Sequence, residues 1–392
     1  LCTHPNLLFD GRLIIKIKGR TLGIRKNIGI VGGGLAGLVS AYLLAKNGHS
    51  VQLFEKKNYP FHRVCGEYLS NEVVDFLKRE SLFPESLDIP QIDTFEFSDT
   101  YGQNVLADLD LGGIGISRFV LDDFLYQRAK ASGATIHTGI QVQEVTFMEG
   151  ENSFEVTLTD GKTFSFDYVI GAFGKRSRID SEMGRAFTQK RSPFIGVKYH
   201  IRIDRPKNVV ALHNFKRGYC GINAVEGNRF NLCYLGRRED LRKYGSIPDM
   251  EQEILWKNPH LNRIFQEAEF LFDKPEVINE ISFEKKSPVE QHILMTGDAA
   301  GLITPLNGNG MAMAIHAAYL VAETLDQFDK REEIESNYRK VWKAHFENRL
   351  TLGRWLQRLF GSNMTSSFAR KLLADYPYFS RKIIQNTHGE PF

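Results

Sequence analysis

The most constraining stretch of the chain is the glycine cluster that closes its first strong apolar run. Asn27 to Val31 reads as a short buried strand, and it ends in Gly32-Gly33-Gly34. Leu38 to Ala45 then reads as a helix, with Asn47-Gly48 as its stop. Val51 to Phe54 is a second buried strand, closed by Glu55. Together they make a β-α-β unit of about 30 residues. Within it Gly32, Gly34 and Gly37 stand as G-x-G-x-x-G. The first glycine permits a tight turn, the second lets a diphosphate approach the backbone, and the third lets helix pack on strand. The helix N-terminus then faces the phosphates, because its free N–H groups and dipole favour an anion. Glu55 stands where an acid would hold ribose hydroxyls, about 20 residues beyond the glycines. A glycine-rich turn beside a surface glutamate is the plain alternative.

NAD and FAD both satisfy that unit, and a distant segment separates them. The stretch "TGDAAGLITPLNGNG" closes another apolar strand, Val289 to Met295. FAD is long, so its ribityl and ring end needs a second segment to hold it. Asp298 can accept hydrogen bonds from ribityl hydroxyls or approach the diphosphate. Gly308 and Gly310 let backbone amides come close to a flavin at the next helix start. Capping of a helix by Asp298 is the bland alternative. A third segment, "DYVIGAFGKRS" from Asp167 to Ser177, is a strand that ends in a turn and two basic residues.

The rest of the chain supplies the frame. Residues 91–112 read as strands with glycine-rich turns, and Ser117 to Ala131 as a helix. Residues 141–170 read as three strands with Asp160-Gly161 as a hairpin turn. Residues 195–283 mix strands with a helix around Met250 to Phe270. A long helix is expected from about Gly310 to Gln327, and the chain beyond Glu332 reads as helical. Residues 1–25 carry no clean period and fit a leader, a translation artefact or an extra hairpin; no function is assigned to them.

Composition excludes several classes. At 42% hydrophobic and 25% charged, the 392 residues are those of a globular enzyme rather than a disordered chain. A net charge of +3 is too small to argue for nucleic acid. Four cysteines, Cys2, Cys65, Cys220 and Cys233, are too sparse for a disulfide scaffold and have no zinc-ribbon spacing. A reducing, cytoplasmic setting is expected. Cys220 and Cys233 flank the turn "VEGN" and either face each other or are separate buried thiols, the reading preferred here. The eleven histidines form no ligand pattern, so no metal is expected. Between Arg339 and Lys382 ten basic residues face two acidic ones, a net of +8, which leaves the remainder acidic by 5. That stretch either meets anionic lipid at the membrane periphery or packs on the body with a solvated basic face.

The three glycine- and strand-bearing segments, in this order, resemble the FAD-dependent oxidoreductases of the para-hydroxybenzoate hydroxylase-like superfamily. Within it the chain most resembles the geranylgeranyl reductase family. "RVCGEYLS" is similar to that family's Cys-Gly-Glu stretch, and "GDAAGLITPLNGNG" carries Ala300-Gly301 where ring hydroxylases usually have Ala-His. The resemblance implies FAD contacts at Ala36, Glu55, Arg63, Val64, Gly66, Arg118, Val142, Asp298, Gly310 and Met311. For Arg118 a surface ion pair with Asp122 is the alternative. It places Cys65 in the wall beside the flavin as a candidate catalytic thiol, with simple packing as the alternative.

Two departures stand out. Phe173 precedes Gly174 where the family usually has Asp, which removes an acid that shapes the dinucleotide surface. Archaeal reductases line a lipid tunnel with Tyr-x-Trp-x-Phe-Pro; "YCGINA" keeps Tyr219 but has Gly221 and Asn223 in place of the Trp and Phe. Those three become candidate substrate contacts.

The expected fold is α/β. A Rossmann-like FAD-binding domain over residues 26–90, 113–185 and 285–335 is interleaved with a β-rich substrate domain over 91–112 and 186–284. A helical segment over 336–392 closes the chain. The expected activity is FAD-dependent reduction of a C=C bond in a lipophilic isoprenoid or polyketide-derived molecule. The electron donor stays open between NAD(P)H and ferredoxin. A monooxygenase that hydroxylates an aromatic or quinone ring, and a flavin-binding protein without turnover, are the alternatives.

Overall fold

The computed structural model describes residues 8–9, 12–17, 20–279, 281–302, 309–356, 362–376 and 389–392. Two large sheets carry the fold. The first has six strands in the order Val289–Glu290, Ile293–Met295, Tyr168–Gly171, Asn27–Val31, Ser50–Glu55 and Thr135–Thr138. All its pairs are parallel except the first. Parallel strands need covered faces: helix Leu35–Lys46 packs on them, with Arg118–Ala131 and Gly310–Gln327 stacked against that helix, and the strands Ser153–Leu158 and Thr163–Phe166 pack on them too. Leu35 through Leu44 are all buried, as a helix inside the core requires.

Two details differ from the sequence expectation. Val289 to Met295 is not one strand: it folds back at Gln291 and His292, both at positive φ, so that Val289 pairs with Leu294. The helix expected around Met250 to Phe270 is two, Ile247–Ile254 and Pro259–Glu267. Asn258 caps the second through His260 N–H at 2.9 Å, and Pro259 cannot continue a helix from the first. Residues 142–166 form a three-stranded antiparallel sheet. The N-terminal strands Leu8–Phe9, Arg12–Ile17 and Arg20–Ile24 also pair antiparallel, as an extra hairpin would.

The second sheet has nine strands, including Gln91–Ser98, Asn104–Gly115, Phe194–Arg202, Val209–Phe215, Gly218–Val225 and Arg229–Arg237. Its register sorts side chains onto two faces, because cross-strand partners share a face and neighbours along a strand alternate. Ile195, Val197, Cys220, Ile222, Leu232 and Tyr234 point to one side. There Met250, Ile254, Leu261 and Ile264 of the two helices cover them. Lys198, His200, Asn231, Cys233, Tyr219, Gly221 and Asn223 share the other side, which meets the segment Arg63–Glu67. Cys220 and Cys233 therefore lie on opposite faces. Burial pushes both thiols up, that of Cys233 to about 12.

Candidate functional site: a dinucleotide turn facing a polar sheet

The glycine turn closes on itself. Gly32 has φ +104, and a Cβ there would lie 2.4 Å from the Ala172 carbonyl oxygen. A Cβ on Gly37 would lie 1.9 Å from the Gly32 carbonyl oxygen. Gly34 differs: within 4 Å its Cβ would meet only Arg118 Nη2, at 3.6 Å. It faces open space bounded by a guanidinium, as a diphosphate cradle needs.

Two arginines and two carboxylates surround the turn. The buried Glu55 carboxylate accepts from Gly33 N–H at 2.9 Å and Lys57 N–H at 3.0 Å. Arg63 Nη2 donates to the Gly33 carbonyl at 3.0 Å and to Glu55 at 3.2 Å, while its Nε donates to Asp122 at 2.9 Å. Arg118 donates to both Asp122 oxygens, at 2.6 and 2.8 Å. The Arg118–Asp122 pair thus forms, but it is no surface pair: Asp122 is 1% exposed. Two guanidiniums meet two buried carboxylates, Glu55 and Asp122, so the charges balance, and what the turn offers a diphosphate is the helix N-terminus and the Arg118 Nη2 edge beside Gly34.

The second segment lands on the first. A Cβ on Gly297, at φ +58, would lie 3.1 Å from Ala36 Cβ. Asp298 sits inside the short turn Gly297–Ala299, whereas Asn309 is the N-cap of Gly310–Gln327, so Asp298 does not cap that helix. Its carbonyl accepts from Lys286 Nζ at 2.8 Å, and burial lowers the Lys286 amine to about 8. A narrow cavity is lined by Gly297, Asp298, Gly310 and Met313. Met311 and Val142 are buried in the surrounding core. Gly308 lies outside the described residues.

The third component is the Cys65 turn. Cys65 is half-buried, and a Cβ on Gly66 would have nothing within 4 Å. Val64 packs toward Gly196, 3.3 Å from a Cβ built there. Glu67 is fully buried at φ +54 and bonded to Lys198 Nζ, to His200 Nε2 at 2.7 Å and to Arg118 N–H at 2.8 Å. Burial alone would raise its carboxyl, but Lys198 and His200 outweigh that and hold it at about 2. Tyr219 joins an apolar group with Phe97, Leu212, Leu235, Leu302 and Ala369. Gly221 leaves space, its Cβ meeting nothing nearer than 3.7 Å. The Asn223 amide is spent on the Glu67 and Ala224 carbonyls, at 3.3 and 3.1 Å.

Comparison with known proteins agrees with this geometry. The family described as an FAD binding domain matches residues 25–333. The chain belongs to this FAD-binding family. FAD is its cofactor, and the open turn at Gly34 with the Arg118 guanidinium beside it fits that group. The FAD-dependent oxidoreductase is 23% identical to the Dictyostelium discoideum conditioned medium factor receptor 1, over 89% of this chain and 71% of that one. It is 24% identical to the chloroplastic geranylgeranyl diphosphate reductase of rice, over 77% of this chain and 67% of that one. Among solved structures, the flavin-dependent halogenase CmlS superposes with a TM-score of 0.74 at 19% identity, covering 94% of this chain and 74% of that one. The fold is therefore shared across reductases and halogenases.

Residues the motifs did not flag also shape the site. Lys198, His200 and Asn231 come from the sheet, and only the alternation in "GVKYHIR" hints that Lys198 and His200 share a face. Glu96, His213 and His260 bring ligand-type atoms within 4.8 Å of one another. Both Glu96 oxygens are already engaged, by Arg205 and Asn104 at 3.0 Å each, so no cation is assigned there. In the basic C-terminal stretch, Arg339, Arg349 and Arg370 pair with Glu335, Glu72 and Asp99. Among the described residues no helix is long and apolar enough to cross a membrane.

Proposed function

We propose that this FAD-dependent oxidoreductase reduces a C=C bond of a lipophilic isoprenoid or polyketide-derived substrate. The observation that carries the reading is the apolar wall of Phe97, Leu212, Tyr219 and Leu235. It lies on the same sheet face that receives the Cys65–Glu67 turn. An apolar face of this kind suits a hydrocarbon chain, and in this structure Ile281, Leu302 and Ala369 pack on it. Gly301 adds support, since a Cβ there would lie 2.9 Å from Leu350 and 3.3 Å from Trp342. The histidine usual in ring hydroxylases has no room at that position. The likeness to rice geranylgeranyl diphosphate reductase points the same way.

Reduced FAD supplies a hydride. The glycine turn, Glu55, Arg63 and Arg118 bind the cofactor, and the Asp298 segment holds its far end. Cys65 Sγ is the candidate to donate a proton to the second carbon of the former double bond, or to pack against substrate. Substrate reaches the site from a lipid surface met by the basic segment 339–382, of which residues 357–361 and 377–382 lie outside the described ones. There Met364 and Phe368 are 81% and 60% exposed beside Lys371.

The test is anaerobic incubation of the dithionite-reduced protein with prenyl diphosphates and prenylated lipids, followed by mass spectrometry. Gain of two hydrogens per reduced double bond supports the reading. Product that forms only with oxygen, and contains it, assigns the protein to the monooxygenases instead.

A further inference from the structure

The backbone from Arg63 to Glu67 is held in an unusual way. Each of its five carbonyls accepts a hydrogen bond from a side chain. Lys198 Nζ donates to Arg63 O at 3.2 Å, and Lys175 Nζ to Val64 O at 3.4 Å. Asn231 Nδ2 donates to Cys65 O at 3.2 Å and Gly66 O at 2.8 Å. Asn223 Nδ2 donates to Glu67 O at 3.3 Å. Lys198 and His200 also bind the Glu67 carboxylate.

Four of these side chains, Lys198, His200, Asn223 and Asn231, share one face of the nine-stranded sheet. In a trans peptide the N–H points opposite to the carbonyl. Four of the five carbonyls, all but that of Val64, which Lys175 binds, are committed to this face, and the N–H groups that follow those four are turned away from it. The open space at Gly66 marks where close approach is free. A row of backbone donors beside a glycine suits the acceptor edge of a flavin ring.

We propose that Lys198, His200, Asn223 and Asn231 are positioning residues that fix the Cys65–Gly66 turn against the flavin. The substrate sheet thereby sets the geometry of the cofactor site. Glu67 is the anchor: its left-handed backbone is uncommon for a residue with a side chain, and the buried ion pair holds it there. The proposal rests on FAD as cofactor and not on alkene reduction, so an oxygenase outcome above leaves it standing.

The test uses Asn231→Leu and the charge-neutral pair Glu67→Gln/Lys198→Met in the protein as isolated. Iodoacetamide labelling is followed on the Cys65 and Cys220 peptides by mass spectrometry, together with FAD dissociation. Cys220 is fully buried on the opposite face and reports general loosening. Cys65 labelling should rise about fivefold or more with Cys220 unchanged, and FAD should bind about tenfold more weakly, the scale of one or two lost hydrogen bonds. Cys65 labelling at the wild-type rate in both variants would overturn the proposal. So would a rise at Cys220 in step with Cys65.

Discussion

The carboxylate of Glu67 and the ammonium of Lys198 form an ion pair at 0% exposure between the Arg63–Glu67 segment and the nine-stranded sheet. Removing one partner strands the other charge in a dry site, at a cost of about 3–5 kcal/mol. Glu67→Leu should lower stability to urea by that order, and adding Lys198→Met should recover more than half of it. The carboxyl is depressed from 4.5 to about 2 in the folded protein. Its contribution is therefore fully present above pH 4.5 and is lost as pH falls toward 2. Acid titrations of wild type and the double variant should diverge in that window.

The glycines of the turn separate folding from cofactor binding. Gly34→Ala meets only a guanidinium at 3.6 Å, so the protein should fold with an unchanged melting temperature. Its methyl group intrudes where the diphosphate lies, and FAD affinity should fall about tenfold or more, roughly 1.4 kcal/mol. Gly37→Ala places a Cβ 1.9 Å from a backbone oxygen and should depress stability itself. Calorimetry of both variants with and without FAD checks the contrast.

Glu251 gives a pH dependence of opposite sign. Burial raises its carboxyl from 4.5 to about 7, although the Tyr234 and Tyr199 hydroxyls that bond it pull the other way. Folding therefore favours the protonated form. That stability is complete below pH 4.5 and is lost as pH rises through 7. Glu251→Gln should remove this slope and raise stability above pH 7 by up to roughly 2–3 kcal/mol. Urea midpoints at pH 5 and pH 8 decide it; an unchanged slope would contradict it.

Local spacing made the cofactor half of the molecule legible. The turn at Gly32 to Gly37, the acid at Glu55 and the helix from Gly310 are each written in a few consecutive residues. Gln291-His292 was a polar interruption inside an apolar run, and it proved to be a turn. The clamp on Cys65 was not legible. It depends on Lys198, Asn223 and Asn231 meeting a turn more than a hundred residues away, through a strand register that no local pattern specifies. Asn223, read as a candidate substrate contact, gives its amide N–H groups to the Glu67 and Ala224 carbonyls. Charge counting also overstated the C-terminal basic face, because Arg339, Arg349 and Arg370 are neutralised internally.

The exposed Met364 and Phe368 remain as the lipid-facing candidates on that segment. The Met364→Ser/Phe368→Ser double variant should weaken co-sedimentation with anionic vesicles several-fold. Wild-type binding should also fall with salt, since exposed charges are screened within about 10 Å at 0.1 M. Unchanged sedimentation of the double variant would remove the lipid surface from the account.

The most direct measurement is rapid mixing of the photoreduced protein, under anaerobic conditions, with a prenyl diphosphate, followed at the flavin absorbance. The account predicts that the alkene reoxidises the flavin without oxygen and that Cys65→Ala slows this step while FAD stays bound. Flavin that stays reduced with every alkene and is reoxidised only by oxygen would contradict it.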